Sequence, residues 1–83
     1  MKTSQIRFAQ LRSFLEQMGF SDQRVQKGWR FEHDSSNTIF LFRPYRLTDR
    51  VYEHDLFKVR SQLDARGLMA DETFDESLTK TPA

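Results

Sequence analysis

The stretch that decides the fold is Lys27-Gly28-Trp29-Arg30-Phe31-Glu32-His33-Asp34-Ser35-Ser36-Asn37-Thr38-Ile39-Phe40-Leu41-Phe42-Arg43-Pro44. Two runs rich in aromatic and β-branched residues flank the polar tetrad Asp34-Ser35-Ser36-Asn37, which is the pattern of a hairpin. With the turn centred between Ser35 and Ser36, Phe31 faces Phe40 and Trp29 faces Phe42. Side chains alternate along a strand, so these four aromatics share one face. Arg30, Glu32, Ile39, Leu41 and Arg43 share the other. The strands are expected over 29–33 and 38–43, with Pro44 ending the second because proline cannot donate to a ladder.

Working outward, Phe8, Leu11, Leu15 and Met18 recur at helical spacing, with Phe14 widening the stripe, and predict a helix over 4–18. Thr3 or Ser4 can cap its start, and Gly19 suits the position after its end. Residues 21–27 read as a short polar strand with Val25 as its inward candidate, and Gly28 makes a tight turn into the hairpin. Residues 45–51 form a polar connection with apolar anchors. A second helix is expected over 53–66. Leu56, Val59 and Leu63 form its stripe, Phe57 and Tyr52 lie beside it, and Glu53 and Asp55 in the first turn favour the dipole.

The expected fold is a two-layer α-β-β-β-α sandwich of the α+β class, a three-stranded antiparallel sheet with both helices on one face. Residues 1–69 make the domain, and 70–83 read as an acidic tail, frayed or disordered, with Phe74 and Leu78 as its apolar exceptions and one helical turn as the alternative. In that fold the four aromatics face the helices. Ile39 and Leu41 are left on the outer face as an apolar patch suited to a protein partner or a second copy of the chain.

Composition narrows the function classes. The chain has 83 residues, no cysteine and eight Phe. Disulfides and thiolate metal sites are thereby excluded, in keeping with a reducing cytoplasm. No run is apolar for long enough to span a membrane, and nothing calls for a cofactor. Residues 1–70 carry 12 Lys and Arg against 8 Asp and Glu, a surplus of four that the acidic end offsets. A basic body permits a polyanionic partner. Lys27, Arg30, Arg43, Arg46 and Arg50 are the residues expected to hold phosphates, gathered around one end of the hairpin and its outer face.

The tripeptide Glu-His-Asp occurs at 32–34 and at 53–55. A shared metal site would need His33 and His54 together, yet they belong to opposite ends of a strand about 16 Å long. His54 alone, beside Arg30 and Arg46, is a weak candidate for acid–base chemistry on RNA.

Phe14-Leu15-Glu16-Gln17-Met18-Gly19-Phe20, then Gln26-Lys27-Gly28, the hairpin, Pro44 and a helix running from Leu56 to Gly67-Leu68 resemble the HicA toxin family over residues 5–68. The resemblance implies a fold similar to double-stranded RNA-binding domains. It also implies a messenger-RNA-cleaving toxin neutralised by a HicB-like antitoxin, with a catalytic histidine in a Gly-Ser-His motif. Here the matching tripeptide is Gly28-Trp29-Arg30. Arginine stays protonated at any working pH and cannot move a proton as histidine does. The expectation is therefore a non-catalytic, HicA-like module that binds RNA or a protein partner. The alternatives are an active endoribonuclease using His54 and a structural module that self-associates.

Overall fold

The computed structural model describes residues 6–81. It is an α+β fold of three helices and a three-stranded antiparallel sheet. The chain runs α1 (Phe8–Gln17), β1 (Ser21–Val25), β2 (Gly28–His33), a 3-10 turn (Asp34–Ser36), β3 (Thr38–Phe42), α2 (Glu53–Ala65) and α3 (Asp71–Thr79). The strands form a meander in the order β1-β2-β3.

The hairpin has the expected register, with Trp29 opposite Phe42 and Phe31 opposite Phe40. The chain reverses through the 3-10 turn and Asn37, the one non-glycine residue with positive φ among the described residues. Asparagine tolerates that conformation better than most side chains. All four hairpin aromatics are buried, whereas Ile39 and Leu41 are 45% and 61% exposed. One face of the sheet is therefore core and the other is open. Phe8 joins the strand aromatics to the loop after β3: its ring lies 5.1 Å from Trp29 and stacks 5.0 Å from Tyr45.

β1 corrects the expectation for Val25. Its partner across the ladder is Gly28, while Asp22 and Arg24 lie opposite Phe31 and Trp29. Directly opposed residues share a face. The polar Asp22 and Arg24 are thus on the helix side, and Val25 is half-buried on the outer side. Asp22 is tolerated there because Arg12 of α1 donates to it at 2.9 Å. Arg12 and Arg24 then cover the Trp29 ring, at 5.4 and 5.0 Å from its centroid.

Helix α1 starts at Phe8 rather than near residue 4. Arg7 is extended at its N-cap and makes no side-chain cap, and Thr3 and Ser4 lie outside the described residues. The first free N–H groups are satisfied from elsewhere: Phe8 N–H donates to Asp49 O at 2.8 Å and Ala9 N–H to Leu47 O at 3.0 Å. A backbone loop does what a capping side chain would do. α1 closes as expected, on Gly19 with a φ of +100°.

In α2, Leu56, Val59 and Leu63 are buried, but Tyr52 and Phe57 are 56% and 58% exposed and stand off the core stripe. The largest departure is the acidic end. Residues 71–79 are not a disordered tail but form α3, whose Phe74 and Leu78 are fully buried. They sit one helical turn apart and so share a face. Phe74 meets Phe14 edge-on at 5.4 Å, and Gln10 Nε2 donates to Leu78 O at 2.9 Å. Asp71 lies 3.0 Å from Arg60 of α2. The acidic first turn suits the helix dipole and a cation on the neighbouring helix at once. No helix among the described residues is long and apolar enough to cross a membrane.

Candidate nucleic-acid interface

The end of the sheet where β2 begins and β3 ends is built by three segments. The first is the turn Gln26-Lys27 and Gly28, whose backbone lies against Phe42 and Arg43. The second is the connection 43–52, anchored by buried Tyr45 and Val51. The third is the residue before α1: Arg7 pairs with Arg50 in an antiparallel bridge, and its Nη1 donates to Thr48 O at 3.1 Å.

Beneath this end is a polar cluster that holds the connection. Tyr45 Oη donates to Asp55 Oδ2 at 2.5 Å and accepts from the Tyr52 amide at 3.1 Å. Arg43 Nε lies 3.4 Å from the same Asp55 oxygen, and its guanidinium sits 4.2 Å from the Tyr52 ring centroid. Trp29 Nε1 donates to Tyr45 O at 3.0 Å. Asp55 is buried, but a charge-assisted hydrogen bond and a nearby cation compensate it.

Burial, together with the bond to Asp55, pushes the Tyr45 hydroxyl up from 10.0 to about 12. The folded protein therefore holds this proton more tightly than the unfolded chain. Its stabilising contribution is complete below about pH 10 and is lost as pH rises through about 12. In a Tyr52→Phe variant, which leaves one tyrosine, tyrosinate absorbance should rise with a midpoint near 12, and the fold should weaken between pH 10 and 12. A midpoint near 10 would show that Tyr45 is not buried and bonded to Asp55 in solution as described.

Arg43, Pro44, Tyr45, Asp49, Arg50 and Tyr52 line an open groove of about 360 Å³ above the cluster. The expected phosphate-binding residues divide as follows. Lys27, Arg43, Arg46 and Arg50 belong to this end and are exposed. Arg30 instead projects onto the outer sheet face, where it pairs with Glu32 at 3.2 Å. Arg12, Arg43 and Arg60 also have carboxylate partners. Arg7, Lys27, Arg46 and Arg50 form no ion pair among the described residues, so four cations at this end have no carboxylate partner to displace. The Asp49 carboxylate is the opposing group in the groove, and its Oδ2 is occupied by the Arg46 amide at 2.8 Å. Arg7 was not legible as part of this site, because nothing in sequence spacing links it to Arg50.

The histidines lie elsewhere. His33 Nδ1 is 2.6 Å from Ser36 Oγ, and its ring lies tilted against Phe20 at 5.1 Å, so it serves the turn. His54 is exposed at the start of α2. It lines a different groove, of about 460 Å³, with Glu53, Phe57, Arg60, Phe74 and Asp75. Neither groove contains Arg30. Among the described residues no three His, Asp or Glu side chains gather as a metal site requires. Compared with known proteins, the chain matches no family model, no curated protein and no solved structure.

Proposed function

We propose that this protein is a small, non-catalytic RNA-binding module that grips the phosphate backbone with its basic end. The observation that carries the reading is the gathering beside Arg43 of Arg7, Lys27, Arg46 and Arg50, whose side chains form no ion pair among the described residues and which outnumber the one groove carboxylate, Asp49. Side chains of this kind recognise backbone charge rather than base identity, which suits structured RNA. The resemblance to HicA proteins supports RNA as the polyanion. Arg30, at the position of that family's catalytic histidine, supports binding without cleavage, since guanidinium lies many units above the pKa a general base needs.

Purified protein should retard a structured RNA in a gel at low salt and leave it intact. The Arg46→Gln/Arg50→Gln double variant should bind more weakly, and its dependence of log affinity on log salt should be shallower by about 2 units of slope. Cleavage that disappears in His54→Ala would replace this reading with an active endoribonuclease.

A second reading has its own support. Ile39 and Leu41 stand exposed on a sheet face that no described element covers. That face suits a protein partner, such as a HicB-like antitoxin, or self-association. Intact RNA without retardation would favour it.

A further inference from the structure

The two edges of the sheet are treated differently. On the β3 side, Lys58 Nζ of α2 donates to Leu41 O at 2.9 Å, and Arg66 Nη1 donates to Ser36 O at 3.2 Å and Asn37 O at 3.5 Å. α2 thereby occupies one carbonyl of β3 itself, Leu41 O, and two in the turn that leads into it. On the β1 side, no described group outside β2 bonds to the backbone of residues 21–25. The edge is a five-residue strand, Ser21-Asp22-Gln23-Arg24-Val25, and Gln23 and Arg24 on it are exposed. A bare edge is a template for another strand, and charges usually discourage that pairing.

Here the charges are arranged to permit one partner. Antiparallel pairing of this strand with a second copy about a twofold axis at Gln23 sets Gln23 against itself. It sets Asp22 against Arg24 of the partner copy and Arg24 against Asp22 of the partner copy. Ser21 then meets Val25. Both opposite-charge pairs lie on the helix side of the sheet, beside Arg12, because Asp22 and Arg24 face that side. Cross-strand pairs of opposite charge favour a register, and a twofold interface needs just this self-complementarity.

We propose that the protein forms a homodimer by joining its β1 edges into a continuous six-stranded antiparallel sheet. The contact is a strand pair, smaller than a standard interface, so the dimer belongs to the weak class and fills at high protein concentration. It leaves the turn Gln26-Lys27 and the basic groove open on each copy, so it stands independently of RNA binding.

The chain has no cysteine, which makes single-cysteine variants clean probes. In the dimer two Gln23 Cα atoms lie about 4.5–5.5 Å apart, within disulfide reach. Gln23→Cys should therefore cross-link rapidly under mild oxidation, and Leu41→Cys on the open sheet face should not. In sedimentation at high concentration the wild type should self-associate. Arg24→Glu, which places like charges opposite each other twice, should weaken that association by about tenfold with an unchanged circular dichroism spectrum. Cross-linking of Gln23→Cys no faster than that of Leu41→Cys would overturn the proposal, as would equal association of the wild type and Arg24→Glu. Faster cross-linking of Leu41→Cys would place any self-association on the sheet face instead.

Discussion

Gly28→Ala should abolish the stable fold or come close to it. Gly28 holds a φ of +151°, and a Cβ built there would stand 1.9 Å from Phe42 O and 3.0 Å from Phe42 C. The obstacle is backbone, and it is held in place because Phe42 pairs with Trp29 in the adjacent ladder position. Relief would require pulling the two strands apart where the turn, the Trp29 indole and the Tyr45 carbonyl converge. Backbone strain alone is worth 1–3 kcal/mol, and the displaced ladder adds to it, so a loss on the order of 3 kcal/mol or more is expected. A domain this small has few kcal/mol to lose. Thermal melting followed by circular dichroism reads the effect directly. A melting temperature within about 2 °C of wild type would show that the β2–β3 approach is looser than described.

Phe74→Ala should cost about 3–5 kcal/mol, the usual range for truncating a buried aromatic. Phe74 is 1% exposed and its ring is perpendicular to that of Phe14, while Leu78 one turn later is fully buried. A disordered acidic tail would predict no change at all, so the variant separates the two pictures sharply. Asp71→Asn gives the graded comparison, because the Arg60–Asp71 contact is half exposed and such pairs contribute about 1 kcal/mol or less. Unfolding midpoints in urea rank the two. Indistinguishable midpoints for Phe74→Ala and wild type would detach α3 from the core.

The hairpin and the α+β class were legible because period-two alternation of large aromatics is a strong local signal, and the polar tetrad fixes the register. Val25 was misplaced for an instructive reason. An apolar residue in a polar strand looks like the inward one, but the Arg12–Asp22 bond and the arginines stacked on Trp29 let polar residues line the inner face. α3 was missed because two apolar residues one turn apart in an acidic segment are a weak pattern. Their meaning depends on the slot left by Phe14, which reads as only a widened stripe on α1. Of the candidate site, Lys27, Arg43, Arg46 and Arg50 come together because they flank the same strand ends. Arg30 separates from them through simple alternation, and Arg7 joins through a bridge between segments far apart in sequence.

The cap on α1 also sets the order in which the protein can form. Its first N–H groups are satisfied by the backbone of Leu47 and Asp49, and the Arg7 side chain reaches Thr48 across 41 residues. A ten-residue helix has little stability of its own in water. Closing a loop of this length costs roughly 2 kcal/mol more entropy than closing a four-residue turn. The strand meander has short-range contacts and meets no such barrier. The expected result is that a chain truncated before residue 47 carries α1 as a frayed segment, which circular dichroism of the truncated peptide would check. The meander is then the platform on which the first helix is fixed late, from both ends: Gly19 and Phe20 on one side, the returning loop on the other.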